Sequence, residues 1–247
     1  GSRGVTVKLK ASEAANAPVS ETVPMYERMI AVIVGIDHYA NLAPDENLSY
    51  AVRDAKGVAE VLRQHYPFDE IITLYDSQAT REGIMKVLGG LQNTGPEDAV
   101  MIYFAGHGIT RSTPRGDIGY LIPYDGSLKR DEMYKNISMQ QLKTDVSPLI
   151  TAKHVLFVAD ACFGGLLLDT RSTKVEPAYQ ASYLREITRE PVRQIITAGG
   201  KDQSVLDDGP RGHSVFTGRF IEALEGVEDF VTARQLGQQV QQEVYAD

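Results

Sequence analysis

Five short apolar runs punctuate this chain: "MIAVIVGI" (29–36), "IITL" (71–74), "AVMIYF" (99–104), "HVLFVAD" (154–160) and "RQIITA" (193–198). Each has the length of a strand, and most are apolar at successive positions. A strand apolar on both faces is covered on both faces, which is the pattern of a parallel sheet between helical layers. Helix-period segments lie between the runs. Residues 48–64 place Leu48, Ala51, Val52, Ala55, Val58, Ala59 and Leu62 on one helical face. Thr80–Leu91 and Ser138–Ile150 predict two more helices, and "GHSVFTGRFIEALEG" (212–226) predicts another that stops at Gly226. "TARQLGQQVQQEV" near the end is also helix-like. Alternating strands and helices imply an α/β domain with a mainly parallel sheet and right-handed crossovers.

Three segments break the alternation. Residues 1–28, with "KASEAANAPVSETVP", predict a linker or tail, although Val5, Val7 and Leu9 alternate as a short edge strand would. "GDIGYLIPYDG" predicts a small hairpin between 105 and 137. Residues 163–192 have little apolar periodicity and predict a long loop. The expected domain is therefore 29–247, excised from a larger protein whose flanks could hold a sensor or regulatory domain.

Charge narrows the partners. With 25 Lys and Arg against 33 Asp and Glu, the net charge is −8 and no basic block stands out, which argues against a nucleic-acid surface. The apolar runs are far shorter than the roughly 20 residues a membrane span needs. A single cysteine, Cys162, excludes an internal disulfide and points to a reducing, cytoplasmic setting.

The candidate chemistry sits at strand ends. In open α/β sheets the working groups gather beyond the carboxyl ends of the strands. His107 lies three residues past the run 99–104, between Gly106 and Gly108; Cys162 lies two past the run 154–160. One crossover separates the two strands, so both residues belong to one sheet edge. An imidazole beside a thiol raises its thiolate fraction. The flanking glycines let an acyl group approach the backbone, where the N–H groups of Gly108 and Cys162 would serve a developing oxyanion. Of the other histidines, His154 precedes its strand, His65 closes a helix and His213 lies at a helix start. His38, also past a strand, is the rival base.

The segments "IAVIVGIDHY", "RDAKGVAEVL", "VMIYFAGHG", "GYLIPYDG", "VLFVADACFGG" and "IITAGGKDQSVLDDGPRGHSVFTGRFIEALEG" resemble, in order, the caspase-like cysteine peptidases of the metacaspase and orthocaspase branch. The match covers about residues 29–226. The resemblance implies a caspase-like fold and a Cys162–His107 dyad that hydrolyses peptide bonds. True caspases carry Gln-Ala-Cys-x-Gly where this chain has Asp160-Ala161-Cys162-Phe163-Gly164. In the metacaspase branch the acid two before the cysteine, with a second from the first helix, lines a pocket for Arg or Lys. Residue by residue, these are Asp160 and Asp54, the latter on the flank of its helix's apolar face.

Some relatives place a serine two before the histidine; here it is Ala105, which removes one hydroxyl from the pocket. The resemblance further implies that Asp202 to Leu206, including Ser204, pairs with the substrate backbone, and that Arg171, Lys174, Arg185 or Arg189 is a self-cleavage site. Some metacaspases need calcium. This chain has no Asp-x-Asp-x-Asp-Gly loop, and Asp207, Asp208, Asp45 and Glu46 are too diffuse to define a metal site. No cofactor is expected. The substrates implied are proteins or peptides with basic residues. A catalytically silent caspase-like scaffold or sensor partner stays open as the alternative. A nucleotide-binding domain would need a Gly-x-Gly-x-x-Gly or Lys-containing phosphate loop that the chain lacks.

Overall fold

The computed structural model describes residues 25–161, 191–198, 209–226 and 233–244, with side chains of the last stretch given at 236–240 and 242. Cys162, Asp202, Ser204 and the four basic residues of the predicted long loop lie outside the described residues, as does the alternation at Val5–Leu9.

All five apolar runs form strands of one sheet: β1 (Met29–Gly35), β2 (Glu70–Tyr75), β3 (Ala99–Ala105), β7 (His154–Asp160) and β8 (Val192–Thr197). Their order is β2-β1-β3-β7-β8 and every pairing is parallel. The chain leaves β1 toward β2 on one side and returns to β3 on the other. The carboxyl ends of β1 and β3 therefore flank the point where strand order reverses, the usual position of a crevice in open sheets.

Side-chain alternation divides the core in two. Ile30, Val32, Val34, Ile102, Phe104 and Val155 pack on one face with Ile84 and Leu88 of α2 (Arg81–Gly90). Ala31, Ile33, Met101, Tyr103 and Val158 pack on the other, against Val58 and Leu62 of α1 (Ala51–His65) and Phe216 and Phe220 of α3 (Val215–Glu225). A further helix, α4 (Ala233–Val244), adds Leu236 and Val240 to that second face. Helices on both faces of a parallel sheet are the α/β architecture the sequence predicts. Among the described residues, no helix is long and apolar enough to cross a membrane.

Helix ends follow the sequence chemistry. Thr80 caps α2 by accepting from the Gly83 amide, and Ser214 caps α3 by accepting from the Thr217 amide. The start of α1 is capped from a distance: the Asp37 carboxylate, just past β1, accepts from the Val52 amide at 3.3 Å. Burial raises the Asp37 pKa above the usual carboxylate range, with the neighbouring Asp76 charge adding to the effect.

Two expectations need correcting. "GDIGYL" is one arm of the hairpin, β5 (Gly116–Leu121); the other arm is β4 (Gly108–Thr113), and the remaining "IPYDG" lies outside it. The short β6 (Ile137–Ser138) completes this three-stranded antiparallel sheet. Residues 138–150 form three successive short turns, Met139–Gln141, Leu142–Val146 and Ser147–Leu149, rather than one regular helix. Pro148 has no N–H to continue the ladder, which accounts for the break at its end.

Candidate active site

β3 and β7 are paired with Ala105 opposite Asp160, and the Gly106 amide donates to the Asp160 carbonyl at 3.2 Å. His107 is two residues beyond Ala105. Cys162 is two residues beyond Asp160 in sequence.

Three neighbours fix His107. Its backbone N–H donates to the Tyr39 hydroxyl at 2.7 Å, and the two rings sit 4.9 Å apart. Tyr39 in turn donates to the Ile36 carbonyl at 3.2 Å. Burial holds the Tyr39 phenol protonated far above the ordinary tyrosine range. On the far side of the imidazole, Nε2 lies 2.6 Å from the Glu46 carbonyl oxygen. A carbonyl only accepts, so Nε2 carries the proton of that bond and Nδ1 of the neutral ring is the acceptor. Gly106 permits the turn: its φ is +157°, and a Cβ there would meet the Tyr39 hydroxyl at 2.9 Å and the Phe104 ring at 3.2 Å. Gly108 follows as the first residue of β4.

The two acids form a separate cluster on the α1 and α3 face. Asp160 shares the sheet face of Tyr103 and Val158, so its carboxylate points at the start of α3. Asp54 reaches the same place from α1 and is only 1% exposed, buried rather than open to a cleft. His213 donates from Nδ1 to Asp54 Oδ1 at 2.7 Å, and the Ser214 amide reaches both Asp54 oxygens at 3.3 and 3.2 Å. The Ser214 hydroxyl donates to Asp160 Oδ2 at 2.5 Å, and the Thr217 hydroxyl donates to the same oxygen. Because Thr217 spends its proton there, the buried Tyr103 hydroxyl, 2.5 Å away, donates to Thr217. Burial, reinforced by the nearby Asp160 and Asp54 charges, keeps Tyr103 protonated well above its ordinary range. Ser214 therefore touches both acids.

Residues 28–247 match the caspase domain of a peptidase family. The chain belongs to the caspase-domain peptidases. Its similarity to a metacaspase-1 of Scheffersomyces stipitis is 26% identity over 160 residues, which span 58% of this chain and 37% of that protein. Among solved structures, caspase-1 from Spodoptera frugiperda superposes with a TM-score of 0.58 at 18% identity, covering 94% of this chain and 84% of that one. A Geobacter sulfurreducens protein superposes at 0.55, also 18% identical, covering 86% and 88%. These likenesses establish the caspase-like fold.

The remaining histidines of this caspase domain lie elsewhere. His38 lies 3.5 Å from the Asp76 carboxylate, His65 ends α1, and His154 Nδ1 pairs with the Tyr26 hydroxyl at 2.7 Å. His213, read in the sequence only as a helix start, joins the acidic cluster. The Glu46 carbonyl also escaped sequence reasoning, because a backbone group carries no residue signature. Ser214 could have been found: a serine three before Thr217 at a helix entrance is an N-cap signal. Among the described residues, no group of three or more His, Cys, Asp and Glu side chains is placed to hold a metal ion.

Proposed function

We propose that this protein is a cysteine endopeptidase that cuts after Arg or Lys. Cys162 is the nucleophile, and His107 is the acid and base. The thiol gives its proton to the His107 ring, and the thiolate attacks the peptide carbonyl carbon. The Gly108 and Cys162 amides receive the negative oxygen that results. The C–N bond then breaks as the imidazolium returns its proton to the leaving amine. Water, deprotonated by the same ring, cleaves the thioester and restores Cys162.

The observation that carries this reading is the Glu46 carbonyl at His107 Nε2. It occupies one ring nitrogen, stabilises the imidazolium and leaves the other nitrogen for the reaction, the part an orienting acid plays in a triad. His107 also follows the strand paired with the one that leads into Cys162. Asp54 and Asp160 supply the negative charge for a basic side chain, while Asp202 and Ser204 fall to the segment that lies along the substrate backbone. The substrates are accordingly proteins or peptides with accessible Arg or Lys.

A positional peptide library on the wild type and Cys162→Ala, with and without calcium, tests this. Cleavage after Arg and Lys that vanishes in Cys162→Ala is the expected result. Cleavage after Asp in place of Arg overturns the specificity, and a wild type as silent as Cys162→Ala leaves a scaffold as the reading.

A further inference from the structure

Asp54 is held from within the molecule. The segment that delivers His213 is tightly tied: the Gly209 amide donates to the His213 carbonyl at 2.9 Å, Arg211 pairs with Glu225 at 2.7 Å, and Arg53 donates to the Gly212 carbonyl. Arg211 and Gly212 have positive φ values of 60° and 76°, which turn the chain so that the next residue faces α1. Gly57, one turn beyond Asp54, leaves room for the ring: a Cβ there would come within 2.6 Å of His213 Cε1. The imidazole side chain is 13% exposed and Asp54's is 2% exposed, so the ring covers the carboxylate. A nitrogen donor with a planar, delocalised π system is thus built against the acid that the proposed reading assigns to a guanidinium.

We propose that His213 is a specificity-determining residue of the basic pocket, a resident donor that shares Asp54 with the incoming Arg or Lys and so sets how strongly the pocket prefers a cation. This rests on the peptidase reading given above. One of the two Asp54 oxygens is spent on His213 Nδ1, and both receive the Ser214 amide. A substrate guanidinium must therefore displace or share the imidazole bond, which lowers its net gain. Ser214 transmits the arrangement to Asp160, because the residue whose amide meets Asp54 also donates its hydroxyl to Asp160.

The test uses a pair of peptides alike except for Arg or its uncharged isostere citrulline before the cut, with His213→Ala, His213→Asn and His213→Lys. The proposal expects KM for the Arg peptide to fall about tenfold in His213→Ala, where one charge-assisted bond no longer competes, and to rise about tenfold in His213→Lys. His213→Asn, which keeps an N–H donor, stays near the wild type. Cleavage of the citrulline peptide shifts far less in each variant. Equal shifts on both peptides, or an unmoved Arg KM, reduce His213 to a packing residue and overturn the proposal. Should the wild type cut neither peptide, the peptidase reading fails by itself. Agmatine, a bare guanidinium amine, then decides the pocket by thermal stabilisation: tighter binding to His213→Ala supports the shared carboxylate, and binding that is equal or absent in both overturns it.

Discussion

The catalytic role proposed for His107 needs an imidazole whose orientation costs nothing at the moment of reaction, and a few neighbours supply it. Tyr39 holds its backbone and the Glu46 carbonyl holds its ring. Tyr39→Phe removes the acceptor of a partly buried N–H, and an unsatisfied donor of that kind costs about 1–3 kcal/mol. We expect a matching loss in denaturant unfolding and a fall in kcat with KM little changed; a kcat equal to the wild type's would show that the phenol does not orient the ring. The acids behave differently. Each accepts from more than one donor, as buried carboxylates must. The Ser214 and Thr217 hydroxyls at the start of α3 both donate to Asp160.

At the scale of elements, the glycines that end or separate secondary structure bring the site together. Gly106 ends β3 with φ +157° directly under Tyr39 and Phe104. Gly106→Ala forces a Cβ into that gap and strains the backbone by about 1–3 kcal/mol. A misplacement of His107 of about 1 Å would cost kcat about 10²-fold. Circular dichroism that stays native while kcat collapses is the expected outcome; unchanged kcat would detach the turn from catalysis. This is also the scale at which sequence reading succeeds and fails. β1, β3 and β7 are legible because their runs, such as "VIV" and "MIYF", are apolar on both faces. "GITRST" is not legible as a strand: Thr110, Arg111, Ser112 and Thr113 are polar, and pairing with β5 holds them in place. The Asp54–His213 contact joins residues 159 positions apart. No periodicity signals such a pair; only the folded sheet, with Asp160 on the α1 and α3 face, brings it into view. The place of His107 could be read because it follows directly from the end of β3.

For the whole molecule, burial is graded from the sheet's centre outward. β3 is buried at all but its first residue, while the final two residues of β4 are exposed. Amide exchange should therefore be slowest in β1, β3 and β7 and at least about 10³-fold faster in β4 and β5, since opening free energies run from near zero in exposed pairs up to the global value in the core. Uniform exchange across both sheets would mean that the small sheet unfolds only with the large one. On this view the large sheet and its helices are a fixed frame, and the small sheet beginning at Gly108 is the part free to breathe beside the edge that carries His107.

Ser214 has three obligations at once: it starts a helix through Thr217, anchors one carboxylate through its amide and steadies the other through its hydroxyl. Any evolutionary route to a different preference that passes through this residue must also renegotiate the entrance of α3. With the two acids reading the substrate as proposed, changing what the protein recognises is inseparable from changing how it stands up, and drift toward new substrates should avoid this position.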